Sequence, residues 1–233
     1  MILKAEYQLV KVTEDGVSTK IYTLESPSGQ TLPFKSGQFV KIFFPGNEKE
    51  FRMFSIASPP QENRLEFCIK ILSDGKFSQL IDRMQPGEKL TMEGPYGHFV
   101  YEGWDHCAFV AAGTGIAPIL SMLRYIVHQK IPGKFTLLFT NKTEKSILYR
   151  QELEALQKQH PGIKVVFTLT QESPPGWKGE VGRINEEMVA RHIPDPAERF
   201  WYFCGPVEFV KTIKDYALGK GVHPQRIKME GWG

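Results

Sequence analysis

A short glycine-containing segment, Gly113-Thr114-Gly115-Ile116-Ala117-Pro118, constrains the fold more than any other part of this sequence. It lies between a continuous apolar run at residues 107–112 and an apolar stretch of helical spacing at 119–127. Glycines at such a turn let the backbone approach a phosphate, and the free N–H groups of the following helix attract negative charge. The segment therefore predicts a strand–turn–helix unit that can bind a dinucleotide. An ordinary turn is the alternative, because Pro118 replaces the third glycine of the usual fingerprint.

The rest of the second half repeats this alternation of apolar runs and amphipathic segments. Strands are expected at residues 135–140, 165–170, 200–204 and 226–230, and helices at 151–159, 186–190 and 207–218. Continuous apolar strands that alternate with helices form a parallel sheet covered on both faces. We therefore predict a C-terminal parallel-sheet α/β nucleotide-binding domain over residues 103–233.

The first half has a different rhythm, in which short runs alternate apolar and polar residues between Gly, Pro, Asp and Asn turns. The runs fall at residues 7–11, 19–24, 39–43, 51–57, 65–71 and 89–93. This spacing is typical of a small antiparallel β-barrel, which we place at residues 1–102. One helix is expected inside it at 77–84, because apolar residues repeat there at helical spacing before Pro86.

Charge and cysteine content narrow the partners and cofactors. The 29 basic and 26 acidic residues give a net charge of +3 without a long basic run, so a nucleic-acid partner is not expected. Cys68, Cys107 and Cys204 are far apart, which gives neither a disulfide framework nor a metal-ligand spacing. The sequence shows no signal-peptide pattern and no apolar stretch near the roughly 18 residues of a membrane span, and we expect a cytoplasmic protein. Any electron carrier inside the chain is expected to be organic.

Arg52-Met53-Phe54-Ser55 carries chemistry that suits a flavin nucleotide on a predicted barrel strand. A guanidinium pairs well with a pyrophosphate, an aromatic ring with a flavin or adenine face, and a hydroxyl can hydrogen-bond a ring nitrogen. Core packing and a solvated face are the alternative roles for an Arg and a Phe on such a strand.

Two further segments stand at the beginnings of predicted helices. Asp74-Gly75-Lys76-Phe77-Ser78 opens the barrel helix, where Ser78 and the neighbouring amides either cap the helix or receive a phosphate. Cys204-Gly205-Pro206 ends a strand at the carboxyl edge of the parallel sheet, where ligands of such sheets bind. A lone cysteine at a strand end is otherwise a small core residue.

Taken in order, these segments together with Gly94-Pro95-Tyr96-Gly97 resemble the motifs of the ferredoxin–NADP reductase superfamily over nearly the whole chain. The resemblance implies a six-stranded antiparallel Greek-key FAD-binding β-barrel followed by the α/β domain, without an iron–sulfur domain. It also implies a reductase that transfers hydride from NAD(P)H to FAD and then electrons to ferredoxin or another acceptor protein. Two alternatives stay open: an NAD(P)H:flavin reductase that uses flavin as a substrate, and an electron-transfer subunit of a larger complex. We expect a monomer.

On the flavin side, the resemblance implies that Arg52 and Ser78 hold the FAD pyrophosphate, that Phe54 packs against the flavin, and that Ser55 lies near its N5 atom. The family pattern often has a tyrosine where this chain has Phe54. Some members also end in an aromatic residue over the flavin, and Trp232 either takes that part or belongs to a frayed end. The cofactor-binding residues implied here are Arg52, Met53, Phe54, Ser55, Gly75, Lys76, Phe77, Ser78 and Trp232.

On the nicotinamide side, the resemblance implies that residues 113–118 take the dinucleotide pyrophosphate and that Cys204 lies beside the nicotinamide. Glu230 resembles the acidic residue that many members place near the flavin N5 atom. The catalytic residues implied are therefore Ser55, Cys204 and Glu230. The remaining binding residues implied are Gly113, Thr114, Gly115, Ile116, Ala117, Pro118, Thr140, Asn141, Lys142, Gly205 and Pro206.

The choice between NADPH and NADH is expected to depend on the end of the second strand of the α/β half. Selectivity for NAD usually comes from an acidic side chain there, which bonds the ribose 2′-hydroxyl and repels a 2′-phosphate. This chain has Thr140-Asn141-Lys142-Thr143 instead, with no carboxylate before Glu144. We therefore predict that both dinucleotides are used, with a modest preference for NADPH.

Overall fold

The computed structural model describes residues 2–232. The first part of the chain is a nearly closed antiparallel barrel of six strands in the order β4-β3-β6-β1-β2-β5. Because β6 lies between β3 and β1, the strands cross over as in a Greek key. The strands are β1 (Leu3–Glu14), β2 (Thr19–Glu25), β3 (Phe39–Phe43), β4 (Arg52–Ser55), β5 (Arg64–Lys70) and β6 (Lys89–Tyr96), and the helix α1 (Lys76–Asp82) lies between β5 and β6.

Alternation along the strands fills the barrel. In β1, Tyr7 and Leu9 are buried whereas the neighbouring Gln8 is exposed, as period-two geometry requires when one face is solvated. The hydroxyl of Tyr7 accepts a hydrogen bond from the Leu32 amide at 2.8 Å, so its buried oxygen is satisfied. The apolar core of the barrel therefore explains why the alternating runs of the first half predicted its strands.

The second part is a parallel sheet of six strands in the order β10-β9-β8-β7-β11-β12, with helices on both faces. Its strands are β7 (His106–Ala112), β8 (Lys134–Asn141), β9 (Ile163–Leu169), β10 (Glu180–Val181), β11 (Phe200–Pro206) and β12 (Ile227–Trp232). Its helices are α2 (Ile116–His128), α3 (Arg150–Gln159), α4 (Glu186–His192) and α5 (Val207–Gly219).

Both faces of this sheet are apolar, which is why its strands are continuous hydrophobic runs. On β11, Tyr202 and Cys204 belong to the core that includes α2 and α3 residues, whereas Trp201 and Phe203 belong to the core that includes α4 and α5 residues. All four side chains are fully buried. The order of elements confirms the predicted fold class of a barrel followed by a parallel-sheet α/β domain.

Some bounds differ from the sequence prediction for local reasons. The strand expected at 51–57 ends at Ser55, and the helix expected at 77–84 is Lys76–Asp82. The two-residue β10 was not predicted, because a strand that short has no period to detect. The division of the chain at residue 102 stays a prediction. Among residues 2–232, no helix is both long enough and apolar enough to cross a membrane.

The two halves pack closely where the loop before β3 meets the segment after β6. Gly37 has a φ of +103°, and a Cβ atom there would overlap the carbonyl oxygen of Phe99 and lie 2.5 Å from the terminal methyl carbon of Met122 on α2. Only glycine fits this place, because other residues meet both an unfavourable φ and a steric clash.

We therefore expect Gly37→Ala to lower the free energy of unfolding by about 2–3 kcal/mol, since it adds strain and displaces the interface between the halves. Urea denaturation followed by fluorescence measures this change. The matched control is Gly46→Ala, because Gly46 also has a positive φ of +80° but no atom of the described residues lies within 4 Å of an added Cβ. Equal losses in the two variants would contradict the close approach at Gly37.

Candidate functional site

The barrel and the parallel sheet meet where β4 of the first lies near β12 of the second. The Ser55 hydroxyl donates a hydrogen bond to Oε2 of Glu230 at 3.2 Å, and these residues are 175 positions apart in the sequence. Glu230 on β12 is in turn the register partner of Cys204 on β11. The structure therefore brings Ser55, Cys204 and Glu230 into one cluster between the two halves.

Burial controls the protonation of this cluster. It raises the pKa of the Glu230 carboxyl, and the hydrogen bond from Ser55 opposes that shift only in part. Burial also raises the pKa of the Cys204 thiol well above its usual range, with the nearby Glu230 carboxylate as a second cause. Cys204 is therefore a neutral thiol near pH 7, which suits a packing surface and not a nucleophile.

The glycine turn predicted from the sequence lies beside this cluster. Residues Gly113–Gly115 form a single 3₁₀ turn after β7, and α2 follows at once. A Cβ on Gly115 would overlap the carbonyl oxygen of Cys204 and would lie 2.6 Å from Cη2 of Trp232. The absence of a side chain at Gly115 thus lets the turn fit against the carboxyl end of β11.

Pro118, which interrupts the usual glycine pattern, is the third residue of α2 and is buried. Its missing N–H is tolerated there, because the first N–H groups of a helix have no partner within the helix. The replacement of the third glycine therefore leaves the strand–turn–helix geometry intact.

A buried amide at the end of β8 lacks a hydrogen-bond partner in the described part of the chain. Asn141 is 6% exposed, and its Nδ2 atom makes no hydrogen bond within residues 2–232. Its backbone oxygen is used, since it accepts from the Thr170 amide at 2.9 Å. An unpaired buried donor costs about 1–3 kcal/mol, so a polar ligand at this edge of the sheet would stabilise it. Thr140 is also buried beside it, whereas Lys142 is exposed.

On the barrel side, Arg52 presents a free cation. Its side chain is exposed, donates to the carbonyl oxygen of Phe51 at 2.8 Å, and pairs with no carboxylate of residues 2–232. Next to it, the partly buried ring of Phe54 packs against Phe77 of α1, with 5.8 Å between the ring centroids. A guanidinium without a counterion beside an aromatic surface fits a group that carries both a phosphate and a ring.

Ser78 holds the loop before α1 together. Its hydroxyl donates to the Gly75 carbonyl at 2.9 Å and accepts from the Leu72 amide at 3.1 Å. The N-cap position is Gly75, and no side chain caps the helix there. A contact between the Ser78 hydroxyl and a phosphate would have to replace one of these bonds, and this role stays a prediction. Lys76 is exposed at the same loop.

Trp232 ends β12 as the register partner of Pro206, so it belongs to the sheet and is not part of a frayed end. Its indole ring is 39% exposed and lies against the glycine turn at Gly115. The sequence analysis considered a place over the flavin. The structure puts this ring on the turn of the α/β half, and its role at the flavin stays a prediction.

The contact between a cation, Arg150, and an aromatic ring, Trp177, was not predicted from the sequence. The Arg150 guanidinium at the beginning of α3 lies 5.5 Å from the ring centroid of Trp177 and forms ion pairs with Glu144 and Glu154. Trp177 lies between β9 and β10, directly after Pro174-Pro175-Gly176. The sequence signal for Arg150 was its position at the beginning of the helix that follows β8, the strand whose end is expected to face the dinucleotide.

Comparison with known proteins gives a consistent result. Family models described as "Oxidoreductase FAD-binding domain" and "Oxidoreductase NAD-binding domain" match residues 6–101 and 109–215. The chain is 30% identical over 237 residues to "Ferredoxin--NADP reductase B" of Sorangium cellulosum, covering 97% of this chain and 96% of that protein. It is 30% identical over 223 residues to "NADH-cytochrome b5 reductase 1" of Pyricularia oryzae, covering 90% and 72%.

Solved structures share the same fold. A ferredoxin NADP+ reductase from Neisseria gonorrhoeae with bound FAD and NADP has a TM-score of 0.83 at 22% identity, covering 98% of each chain. The FAD/NAD binding domain of a nitric oxide dioxygenase from Vibrio cholerae has a TM-score of 0.88 at 22% identity, also covering 98% of each chain.

The close fit at Gly115 leads to a prediction. We expect Gly115→Ala to weaken dinucleotide binding by about tenfold or more, which is about 1.4 kcal/mol, because the added methyl group pushes the turn away from β11. Bound FAD should be retained, since the barrel is unchanged. Titration with NADP⁺, followed by the flavin difference spectrum, measures the affinity. Gly219→Ala at the end of α5 is the control, because an added Cβ there meets nothing within 4 Å. Parent-like affinity in Gly115→Ala would contradict this geometry.

Proposed function

Because the chain belongs to the ferredoxin–NADP reductase family of FAD-dependent NAD(P)H oxidoreductases, we propose that it passes electrons from NAD(P)H through FAD to a separate one-electron acceptor protein such as a ferredoxin. When bound, FAD supplies the chemistry, because it accepts a hydride from the dinucleotide and releases electrons one at a time. The observation that carries the proposal is the hydrogen bond between Ser55 of the barrel and Glu230 of the α/β half. It joins the strand assigned to the flavin to the edge assigned to the nicotinamide.

We assign the flavin site to the barrel residues around Arg52 and α1. The Arg52 guanidinium, which pairs with no carboxylate of residues 2–232, binds the pyrophosphate together with the backbone of residues 75–78, and Phe54 packs against the flavin. Ser55 follows on the same strand, and its hydroxyl is held in place by Glu230. These residues bind and orient the cofactor.

We assign the dinucleotide site to the carboxyl edge of the parallel sheet. The turn at 113–118 takes the pyrophosphate, and Thr140, Asn141 and Lys142 take the adenosine end. The Asn141 amide, which lacks a partner among the described residues, supports this assignment because a bound ribose or base would supply an acceptor. The neutral thiol of Cys204, followed by Gly205 and Pro206, gives the nicotinamide a packing surface.

Within this arrangement, Glu230 is assigned to proton handling and electrostatics. A partly buried carboxyl with a raised pKa keeps its proton to higher pH than an exposed glutamate does. Hydride transfer itself needs no strong general base, so Ser55, Cys204 and Glu230 act on geometry and local charge.

We propose ferredoxin first because this chain matches a larger share of the relative named for ferredoxin than of the relative named for cytochrome b5. The Sorangium reductase named for ferredoxin is matched over 96% of its own length, whereas the Pyricularia reductase named for cytochrome b5 is matched over 72%. Both names agree on a one-electron acceptor protein, so cytochrome b5 is the comparison that the test must include.

We expect the purified protein to carry about one noncovalent FAD and to reduce a [2Fe–2S] ferredoxin with NADPH at a higher kcat/KM than cytochrome b5. The flavin absorption spectrum measures the first, and anaerobic steady-state kinetics with each acceptor measure the second. Loss of flavin on gel filtration, with free flavin then reduced as a substrate, would overturn the electron-transfer proposal in favour of a flavin reductase. A higher kcat/KM with cytochrome b5 would overturn the choice of ferredoxin.

Glu230→Gln tests the carboxyl directly. We expect the limiting rate of flavin reduction to fall about tenfold, because the amide can still accept from Ser55 but carries neither charge nor a titrating proton. Stopped-flow reduction by NADPH measures this rate.

The same variant gives a pH test of stability. Since the pKa of Glu230 is raised in the folded chain, protonation stabilises the fold. From the ordinary glutamate value of about 4.3 upward, the parent should therefore lose stability relative to Glu230→Gln until the pH passes the raised pKa, and below that value the difference between the two proteins should not depend on pH. Thermal unfolding from pH 4 to pH 8 measures the trend, and a difference that does not change with pH would contradict it.

A further inference from the structure

Helix α2 follows the assigned dinucleotide turn and contacts the barrel segment after the strand assigned to the flavin. Its first residue, Ile116, follows the glycine turn directly. Farther along, the Ser121 hydroxyl donates to the backbone oxygen of Ser58 at 2.7 Å, and Nη1 of Arg124 donates to the backbone oxygen of Ala57 at 2.9 Å. Ala57 and Ser58 continue the barrel segment that begins as β4. One helix therefore joins the dinucleotide turn to the barrel segment that directly follows the strand assigned to the flavin.

Arg124 is anchored on both sides of the interface. Its Nη1 atom also donates to Oε1 of Glu66 on β5 at 2.8 Å, which is a bond to the barrel. Its Nε and Nη2 atoms donate to the two carboxylate oxygens of Glu152 on α3 at 2.6 and 2.7 Å. The Arg124 side chain is 13% exposed, so these bonds are made away from bulk solvent. They are also directional, because the guanidinium fork is planar and rigid.

The hydrogen bonds of Ser121 and Arg124 are directional, whereas the apolar contacts around them are not. Around them lies a core in which Ala57 and Cys68 of the barrel pack with α2 residues such as Leu120. Apolar burial is not directional and tolerates sliding. The hydrogen bonds of Ser121 and Arg124 instead fix where α2 stands along the barrel segment. An α-helix is stiff and rises about 1.5 Å per residue, so Ser121 is close to the glycine turn along the axis. A displacement of Ser121 therefore displaces the glycine turn by nearly the same distance.

From this geometry we propose that Ser121 and Arg124 are positioning residues, which set the distance between the dinucleotide turn and the flavin-bearing strand and thereby the rate of hydride transfer. The inference rests on the proposed function, since it assumes the two cofactor sites assigned above. A reacting distance changed by a fraction of an ångström lowers the rate without removing the binding groups of either cofactor.

The two carboxylates around Arg124 provide a matched pair of variants. Glu66→Ala removes the ion pair that crosses to the barrel, whereas Glu152→Ala removes the ion pair within the α/β half. Ser121→Ala removes the second contact to the barrel with a small change in volume. Thr212→Ala on the exposed face of α5 is a further control, because it also removes a hydroxyl bonded to a backbone oxygen, that of Glu208.

The experiment is anaerobic stopped-flow reduction of the FAD-loaded protein by saturating NADPH, together with NADP⁺ affinity, thermal unfolding and the long-wavelength charge-transfer absorbance of the mixed complex. We expect Ser121→Ala and Glu66→Ala to lower the limiting reduction rate about tenfold and to weaken the charge-transfer band, with NADP⁺ affinity changed less than about twofold. Glu152→Ala should lower the unfolding temperature but keep the parental rate and band. Thr212→Ala should match the parent throughout.

Equal effects of Glu66→Ala and Glu152→Ala on the rate would overturn the proposal, because Arg124 would then only stabilise the fold. Parental rates in both Ser121→Ala and Glu66→Ala would overturn it as well. If neither NADPH nor NADH reduces the flavin of the parent protein, the result contradicts the proposed function and does not bear on the positioning role. The parental rate is therefore measured first.

Discussion

The partly buried guanidinium of Arg124 joins the two halves of this protein, because it hydrogen-bonds Glu66 in the barrel and Glu152 in the α/β half. A buried charge is costly unless its donors are paired, and here Nε, Nη1 and Nη2 all have oxygen acceptors. If the halves slid past each other, Arg124 would lose its barrel acceptors, the Glu66 carboxylate and the Ala57 backbone oxygen. The hydrogen bonds of Arg124 therefore fix how the two halves are aligned, while apolar burial favours their association.

The interface between the two halves determines the geometry of the candidate site. Ser55 and Glu230 lie on edge strands of two different sheets, so their hydrogen bond exists only while β4 and β12 are held side by side. The same placement partly buries Glu230, which raises the pKa of its carboxyl. An oxidoreductase of this kind contributes mainly position and local electrostatics, since the redox chemistry belongs to its cofactors. The packing between the halves is thus part of the function and not only of the stability.

The sequence was informative wherever a local pattern had a physical cause. The alternating runs of the first half and the continuous runs of the second differ because one sheet has a single buried face and the other has two. The turn at 113–118 could be placed because strand, glycines and helix are contiguous. The pattern gave no sign of β10, which is two residues long, nor of the contact between Arg150 and Trp177, whose partners lie 27 positions apart.

The order of strands and helices, the glycine turn and the chemical character of the site residues follow from the sequence by itself, because each depends on neighbours within a few positions. The resemblance of the motifs gave the family and the cofactors. Only the tertiary structure decided that Ser55 meets Glu230, that the buried Asn141 amide has no hydrogen-bond partner among residues 2–232, that Trp232 lies on the glycine turn, and that α2 contacts the barrel segment after β4. These depend on distances between residues far apart in the chain, which packing and burial determine and no local period encodes.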